Sequence, residues 1–157
     1  MKKIKSNAIL TSGGDSPGMN AAIRACVRTA LAQKMQVWGI KKGYQGLIEK
    51  DLFLMNASSV GNTLQKGGTF LQTSRCPEFH QKKYRSLAFK NLQEKNIDGL
   101  VVIGGDGSFR GAYQLFQETK FPIVGIPGTI DNDILGTDYT IGFDTAVQTA
   151  MEAVDKV

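Results

Sequence analysis

The chain has 157 residues, 41% hydrophobic and 21% charged, enough apolar sequence for one domain with a real core and too much for a disordered chain. Its net charge of +5 is spread along the sequence, so nucleic acid is not needed to explain it. Two cysteines, Cys26 and Cys76, make neither a disulfide framework nor a zinc set and fit a reducing cytoplasm; the start Met1-Lys2-Lys3-Ile4-Lys5 lacks the apolar stretch of a signal peptide, and no run of about 18 apolar residues offers a membrane span.

In chain order, residues 7–10 read as a short apolar strand running into Thr11-Ser12-Gly13-Gly14-Asp15-Ser16-Pro17-Gly18. A helix follows over 19–33, with Met19, Ile23, Cys26, Val27, Ala30 and Leu31 at helical spacing; Cys26 is expected to be buried on that face. Arg24 and Arg28, four apart, share a more exposed side. Residues 37–40 form a second strand, Gly43-Tyr44-Gln45-Gly46 turns the chain, and 51–55 is a short strand. Ser58 or Ser59 is expected to cap a short helix that stops at Gly67-Gly68. Residues 69–71 are β-prone and 72–79 read as loop. A helix over 81–95 is expected to bury Tyr84, Leu87, Ala88 and Leu92. Residues 99–103 are the most strand-like segment; Gly104-Gly105-Asp106-Gly107-Ser108 is a loop, followed by a helix to about Glu118. The strand at 123–126 leads into a long loop, and a last helix begins near Asp144 with Ala146, Val147, Ala150, Met151 and Val154 on its inner face.

Strand, glycine loop, helix, strand is the rhythm of a parallel sheet covered by helices, and ligands of such sheets bind beyond the carboxyl ends of the strands. Three loops fall there. Gly13-Gly14 and Gly104–Ser108 let backbone approach phosphate oxygens, with helix N-termini behind them. A carboxylate among glycines, Asp106, would repel a bare phosphate but suits a Mg²⁺ bridging phosphates. In Pro127-Gly128-Thr129-Ile130-Asp131-Asn132-Asp133 two carboxylates two residues apart share a side, so one can act on a proton and the other on a metal or polar partner. Neither G-x-G-x-x-G nor G-x-x-x-x-G-K-[ST] occurs at these loops, which argues against an ordinary dinucleotide site and a P-loop. His80, the one histidine, sits in a polar loop and reads as solvated; Arg75 reads equally as a phosphate contact or a surface arginine. The outline is phosphoryl transfer from a nucleotide held by the glycine loops, with Asp106 carrying Mg²⁺ and Asp131 taking the proton of an acceptor hydroxyl.

Leu10–Asn20, Gly67-Gly68-Thr69, Gly104–Ser108 and Pro127–Asp133 together resemble the bacterial ATP-dependent 6-phosphofructokinases, in that family's order and spacing. The resemblance covers about the N-terminal half of the family's catalytic chain. It implies a Rossmann-like α/β fold, a parallel-sheet three-layer sandwich, with residues 1–157 as the nucleotide-binding domain and a second, sugar-phosphate domain outside this chain. It implies transfer from MgATP to the 1-hydroxyl of fructose 6-phosphate in a cytoplasmic, glycolytic homotetramer. By resemblance, Gly14, Arg75, Cys76 and Gly105 through Ser108 (with Asp106 and Gly107) touch ATP, Tyr44 lies near the adenosine, and Asp106 holds Mg²⁺. Thr129, Ile130 and Asp131 meet the sugar, Asp131 is the proton acceptor, and Asp133 supports metal and base. Gly107 and Gly128 stand where pyrophosphate-using relatives tend to carry Asp and Lys, which favours ATP as donor. Arg24 and Arg28 match an effector site for ADP or phosphoenolpyruvate at a subunit interface, although Ala57 and Asn62 lack the charges some relatives have there.

Overall fold

Side chains of the central strands alternate between two apolar layers, and that alternation sets the architecture. The structure, a computed structural model, describes residues 4–157; Met1–Lys3, part of the basic start read as carrying no leader, lie outside the described residues. It contains strands β1 (Ser6–Ser12), β2 (Gln36–Ile40), β3 (Leu52–Met55), β4 (Gly99–Gly104) and β5 (Ile123–Pro127). The helices are α1 (Met19–Ala32), α2 (Gly43–Glu49), α3 (Lys82–Glu94), α4 (Asp106–Thr119) and α5 (Phe143–Val154). Ala8 and Leu10 of β1 with Leu100 and Val102 of β4 pack under α2, α3 and α4, against Leu47, Ala88, Leu92 and Leu115. Ile9 and Ile103 face the other way and pack with Met19, Ile23 and Val27 of α1. Strands buried on both faces must be apolar at successive positions, which is why β1 and β4 read so clearly.

The sheet order is β3-β2-β1-β4-β5. β1 runs parallel to β2 and β4, and β4 parallel to β5, with Ser12 beside Gly104 and Gly104 beside Pro127. The three-layer α/β sandwich is as expected, but the sheet is mixed: β3 pairs antiparallel with β2. The cause is the connection. Lys41 N–H donates to Asp51 C=O at 3.1 Å, so the chain leaves β2 and enters β3 at the same end of the sheet, which permits only an antiparallel pair.

That excursion is a helix and not the expected turn at 43–46. Tyr44 and Leu47, three apart, are both buried, and this burial outweighs the poor helix propensity of two glycines. Gly46 is there for close approach: a Cβ would lie 1.7 Å from the Lys41 carbonyl oxygen. Residues 58–60 form a single 3₁₀ turn and no helix reaches Gly67. Its cap is Asn56, whose Oδ1 accepts from the N–H groups of Ser58 (2.9 Å) and Ser59 (3.1 Å), so the expected Ser58 or Ser59 cap is corrected. Residues 69–71 join no strand; Thr11 Oγ1, 3.0 Å from Thr69 Oγ1, ties them to β1.

In α3, Ala88 and Leu92 are buried as expected, but Leu87 is 40% exposed and Tyr84 half-buried. Arg85 and Asn91 take the inner positions because each has polar partners there. Asn91 Nδ2 donates to the Leu47 and Ile48 carbonyls, both at 2.9 Å, satisfying groups at the end of α2. The expected inner face of α5 meets no neighbour: no residue of this helix is buried, and Val147, Met151 and Val154 are 43%, 58% and 75% exposed. The helical period is correct; nothing among the described residues covers it.

Candidate active site

Between β1 and β4 the chain's progression across the sheet reverses, and ligands of such sheets bind at that reversal. The two glycine loops meet here. Gly104 must lack a side chain, because a Cβ would lie 2.3 Å from the Ser12 carbonyl oxygen and 2.7 Å from Ser108 Oγ. The same packing brings Ser108 Oγ within 3.4 Å of where a Gly13 Cβ would be. A Cβ at Gly14 or Gly107 would instead meet nothing within 4 Å; both residues line the cavity and leave open space beside the backbone. Gly128 N–H donates to Gly104 C=O at 3.1 Å, fixing the third loop beside the second.

The resulting cavity, about 590 Å³, is lined by Gly14, Tyr44, Arg75, Cys76, Gly105, Asp106, Gly107, Ser108, Thr129, Asp131 and Asp133. The structure thus gathers residues from five separate segments that the sequence had only suggested belong together. Arg75, exposed, lies at this wall. Ile130 is the exception: it is absent from the lining and 50% exposed. A larger hollow, about 1170 Å³ at the opposite end of the sheet, contains none of the glycine loops.

One wall is aromatic. Tyr44 and Phe79 stack with centroids 3.9 Å apart and planes 16° apart. Tyr44 donates its O–H to the Ser108 carbonyl at 2.6 Å, and burial pushes its phenol well above the usual tyrosine range. Gly111 of α4 lets the helix lie against the pair; a Cβ there would be 3.3 Å from each ring. Phe79 and Gly111 were not singled out from the sequence. The signals were a glycine inside a helical pattern and a Pro-x-Phe at 77–79, which the structure folds into a 3₁₀ turn, Pro77–His80, inside the expected loop. His80, exposed on that turn, also lines the cavity. Cys76 is half-buried and its thiol is pushed up, first by burial, so it is wall and not nucleophile at neutral pH.

The opposite wall is the 128–140 loop. Asn132, at φ 50, turns back: its Oδ1 accepts from Thr140 N–H (2.8 Å) and its Nδ2 donates to Asp138 C=O (3.2 Å). With Asn132 stapled to the loop, Asp131 and Asp133 on either side of it both reach the cavity. Thr140 Oγ1 donates to Thr129 C=O at 2.6 Å. Asp131 N–H donates to Thr129 Oγ1 at 3.2 Å, so that hydroxyl accepts from its own loop and keeps its proton for a ligand.

Asp106 is exposed in the first turn of α4 and forms an ion pair with Arg110, Nε to Oδ2 2.8 Å. Among the described residues no three His, Cys, Asp or Glu side chains stand together as a ready metal cage. Hard carboxylate oxygens beside open glycines do suit Mg²⁺, which keeps waters and takes phosphate oxygens as its remaining ligands. Arg24 and Arg28 lie elsewhere, on α1: Arg24 Nη1 donates to the Val60 carbonyl at 2.7 Å and Arg28 is exposed. Ala57 and Asn62 flank that turn, both exposed.

The site is thus a switch-point cavity of a mixed α/β sheet, lined by glycine loops and carboxylates. The chain belongs to the phosphofructokinase family, whose model matches residues 6–157. It is 58% identical to the ATP-dependent 6-phosphofructokinase of Staphylococcus aureus and 60% to that of Staphylococcus carnosus, in each case over all of this chain and 48% of the relative's length. The chain thus spans about half the length of these curated relatives. Among solved structures it is similar to Pichia pastoris phosphofructokinase in the T-state (TM-score 0.93, 38% identity, 99% of this chain and 18% of that one). A pyrophosphate-dependent phosphofructokinase from Marinobacter aquaeolei shares the fold at TM-score 0.78 and 23% identity, covering 97% of this chain and 42% of that one.

Proposed function

We propose that this chain carries the nucleotide side of an ATP-dependent 6-phosphofructokinase, which moves the terminal phosphoryl group of MgATP to the 1-hydroxyl of fructose 6-phosphate. The observation that carries this reading is the convergence of two glycine loops and the Thr129–Asp133 carboxylates on one cavity. Identity of 58–60% to ATP-dependent 6-phosphofructokinases supports the choice of donor and acceptor. In this reading the backbone at Gly14 and at Gly105–Ser108 faces the phosphates, Arg75 offsets their charge, and Cys76 and Tyr44 border the nucleoside. Asp106, supported by Asp133, would hold Mg²⁺ together with phosphate oxygens, and the ion would supply charge neutralisation on the phosphates. Arg110, the present partner of Asp106, is exposed and free to swing away. Asp131 accepts the proton of the sugar hydroxyl as its oxygen bonds to the terminal phosphorus and the bridging P–O bond to ADP breaks. The Thr129 hydroxyl donates to the sugar, and Ile130 is its apolar neighbour.

Among the described residues Arg75 is the one arginine lining this cavity, and the nucleotide phosphates claim it in this reading, so the second, sugar-phosphate domain of the family is proposed to hold the sugar 6-phosphate. The uncovered stripe of α5 is a surface on which that part could pack. Arg24 and Arg28 are proposed to bind an effector anion, smaller than ADP given the uncharged Ala57 and Asn62. For the whole protein a cytoplasmic homotetramer is proposed, acting on ATP and fructose 6-phosphate without nucleic acid or membrane. A coupled assay of the intact gene product with fructose 6-phosphate and either ATP or pyrophosphate decides the reading: turnover is expected with ATP, and turnover with pyrophosphate alone, or with neither, overturns it. The isolated 157 residues are expected to bind MgATP weakly with little or no turnover.

A further inference from the structure

We propose that Arg85, on α3 and outside the cavity lining, is a positioning residue for the nucleotide: it fixes the aromatic wall against which the base lies. This rests on the nucleotide reading above and deepens it. Arg85 is 6% exposed, and each of its three guanidinium nitrogens donates a hydrogen bond. Nε donates to Glu118 Oε2 at 3.0 Å and Nη2 to Glu118 Oε1 at 2.6 Å, a bidentate fork onto α4. The third donor, Nη1, bonds the Phe79 carbonyl oxygen at 2.8 Å. One buried cation therefore ties α3, α4 and the 3₁₀ turn Pro77–His80 together.

Besides this bond, the turn is held by the buried Phe79 ring and by backbone bonds from Phe79 N–H to Cys76 C=O (3.1 Å) and from Gln81 N–H to Glu78 C=O (2.9 Å). Yet Cys76, Pro77, Phe79 and His80 all line the cavity from it. The linkage continues inward. The Phe79 ring stacks on Tyr44, and Tyr44 bonds the Ser108 carbonyl in the first turn of α4, beside Gly107 and Asp106. A buried ion pair adds little net stability over an apolar pair of similar volume, so packing alone does not call for one here. What a guanidinium does, and an apolar side chain or a lysine does not, is hold a carboxylate and a carbonyl at once in a fixed planar fork.

The test titrates ATP against the intact gene product and follows steady-state kinetics and thermal melting. Arg85→Met is expected to raise the Kd and KM for ATP about 10-fold while the KM for fructose 6-phosphate changes less than about 2-fold. Glu118→Gln keeps the Phe79 bond but loosens the fork, and is expected to raise the KM for ATP about 3-fold. The double variant Arg85→Met/Glu118→Met is expected to recover melting temperature without recovering ATP affinity. Unchanged ATP affinity in folded Arg85→Met, or affinity regained together with stability in the double variant, overturns the proposal. Should Arg85→Met not fold, unchanged ATP affinity in Glu118→Gln and the double variant overturns it equally. A wild-type protein that binds no ATP overturns the nucleotide reading, and this one with it; wild-type binding with indifferent variants overturns only this one.

Discussion

On the aromatic side of the cavity the Tyr44–Phe79 wall is held from within the chain, whereas on the carboxylate side the loop is braced at its base and open at its tip. Tyr44 and Phe79 are 5% and 4% exposed, stacked, and hydrogen-bonded through a phenol and a backbone carbonyl to neighbouring elements. Across the cavity Asp131 and Asp133 are exposed, and beyond them Leu135 and Tyr139 are 101% and 66% exposed. The bonds that do exist there, through Asn132 and Thr140, fix the backbone and leave the carboxylates free. The difference is what a two-substrate site requires of its parts. A nucleotide pocket gains affinity from being formed in advance, while a proton acceptor must stay ionised and reachable until the acceptor arrives.

The sharpest break in this comparison is Asp131→Asn in the intact gene product. It removes the proton acceptor and nothing the nucleotide wall depends on, so kcat is expected to fall by about 10³-fold with ATP affinity unchanged. Retained turnover in a coupled assay would move the base elsewhere. Gly107→Asp acts on the other side. A Cβ at Gly107 meets nothing within 4 Å and its backbone is in an ordinary region, so the fold is expected to persist and melting to stay within a degree or two. The new carboxylate enters the phosphate end of the cavity beside Asp106, and the KM for ATP is expected to rise by about 10-fold or more. If ATP affinity is unmoved, the phosphates do not lie against this loop. Smaller again is Tyr44→Phe, which keeps the ring stack but strips the partner from the Ser108 carbonyl. A loss of about 1 kcal/mol, read as a lowered urea midpoint, is expected.

What the sequence made legible divides along the same line. The loops following β1, β4 and β5 could be placed on one edge because apolar strands buried on both faces carry an unmistakable pattern, and Gly14, Asp106 and Asp131 follow from position alone. Local pattern did not place the aromatic wall; only the family resemblance put Tyr44 near the nucleotide, and nothing pointed to Phe79. Tyr44 belongs to a two-turn helix that exists because Tyr44 and Leu47 are buried, which no local propensity at Gly43 or Gly46 predicts. Phe79 sits in a polar stretch, and its partner Arg85 occupies an inward helical position that periodicity assigned to Tyr84 and Leu87. Periodicity scores hydrophobicity, and a buried arginine satisfied by a carboxylate and a carbonyl is invisible to it. In α5 the helical period was right, but no described residue packs against it, so the structure has an exposed face where periodicity suggested an inner one.

The smallest effect bears on the anchor of the finished wall and is one of pH. Hydrogen bonds from Arg85 hold the Glu118 carboxyl below its usual range, and partial burial, which opposes this, does not cancel it. Folded Glu118 thus gives up its proton more readily than it does in the unfolded chain. Its contribution to stability is complete above the ordinary glutamate pKa of about 4.3 and is lost as pH falls from there through the lower folded value. Glu94 is lowered in the same direction, mainly by hydrogen bonding to Lys50, and titrates in the same window. Wild type alone therefore cannot separate the two, but the difference between wild type and Glu118→Gln can, because Glu94 is common to both. That difference in urea midpoint is expected to be constant from about pH 8 to pH 5 and to shrink below it. A difference that stays flat to pH 3 would mean that the Arg85–Glu118 pair holds its geometry without stabilising the ionised carboxylate. The anchor of the nucleotide wall would then be steric in origin and not electrostatic.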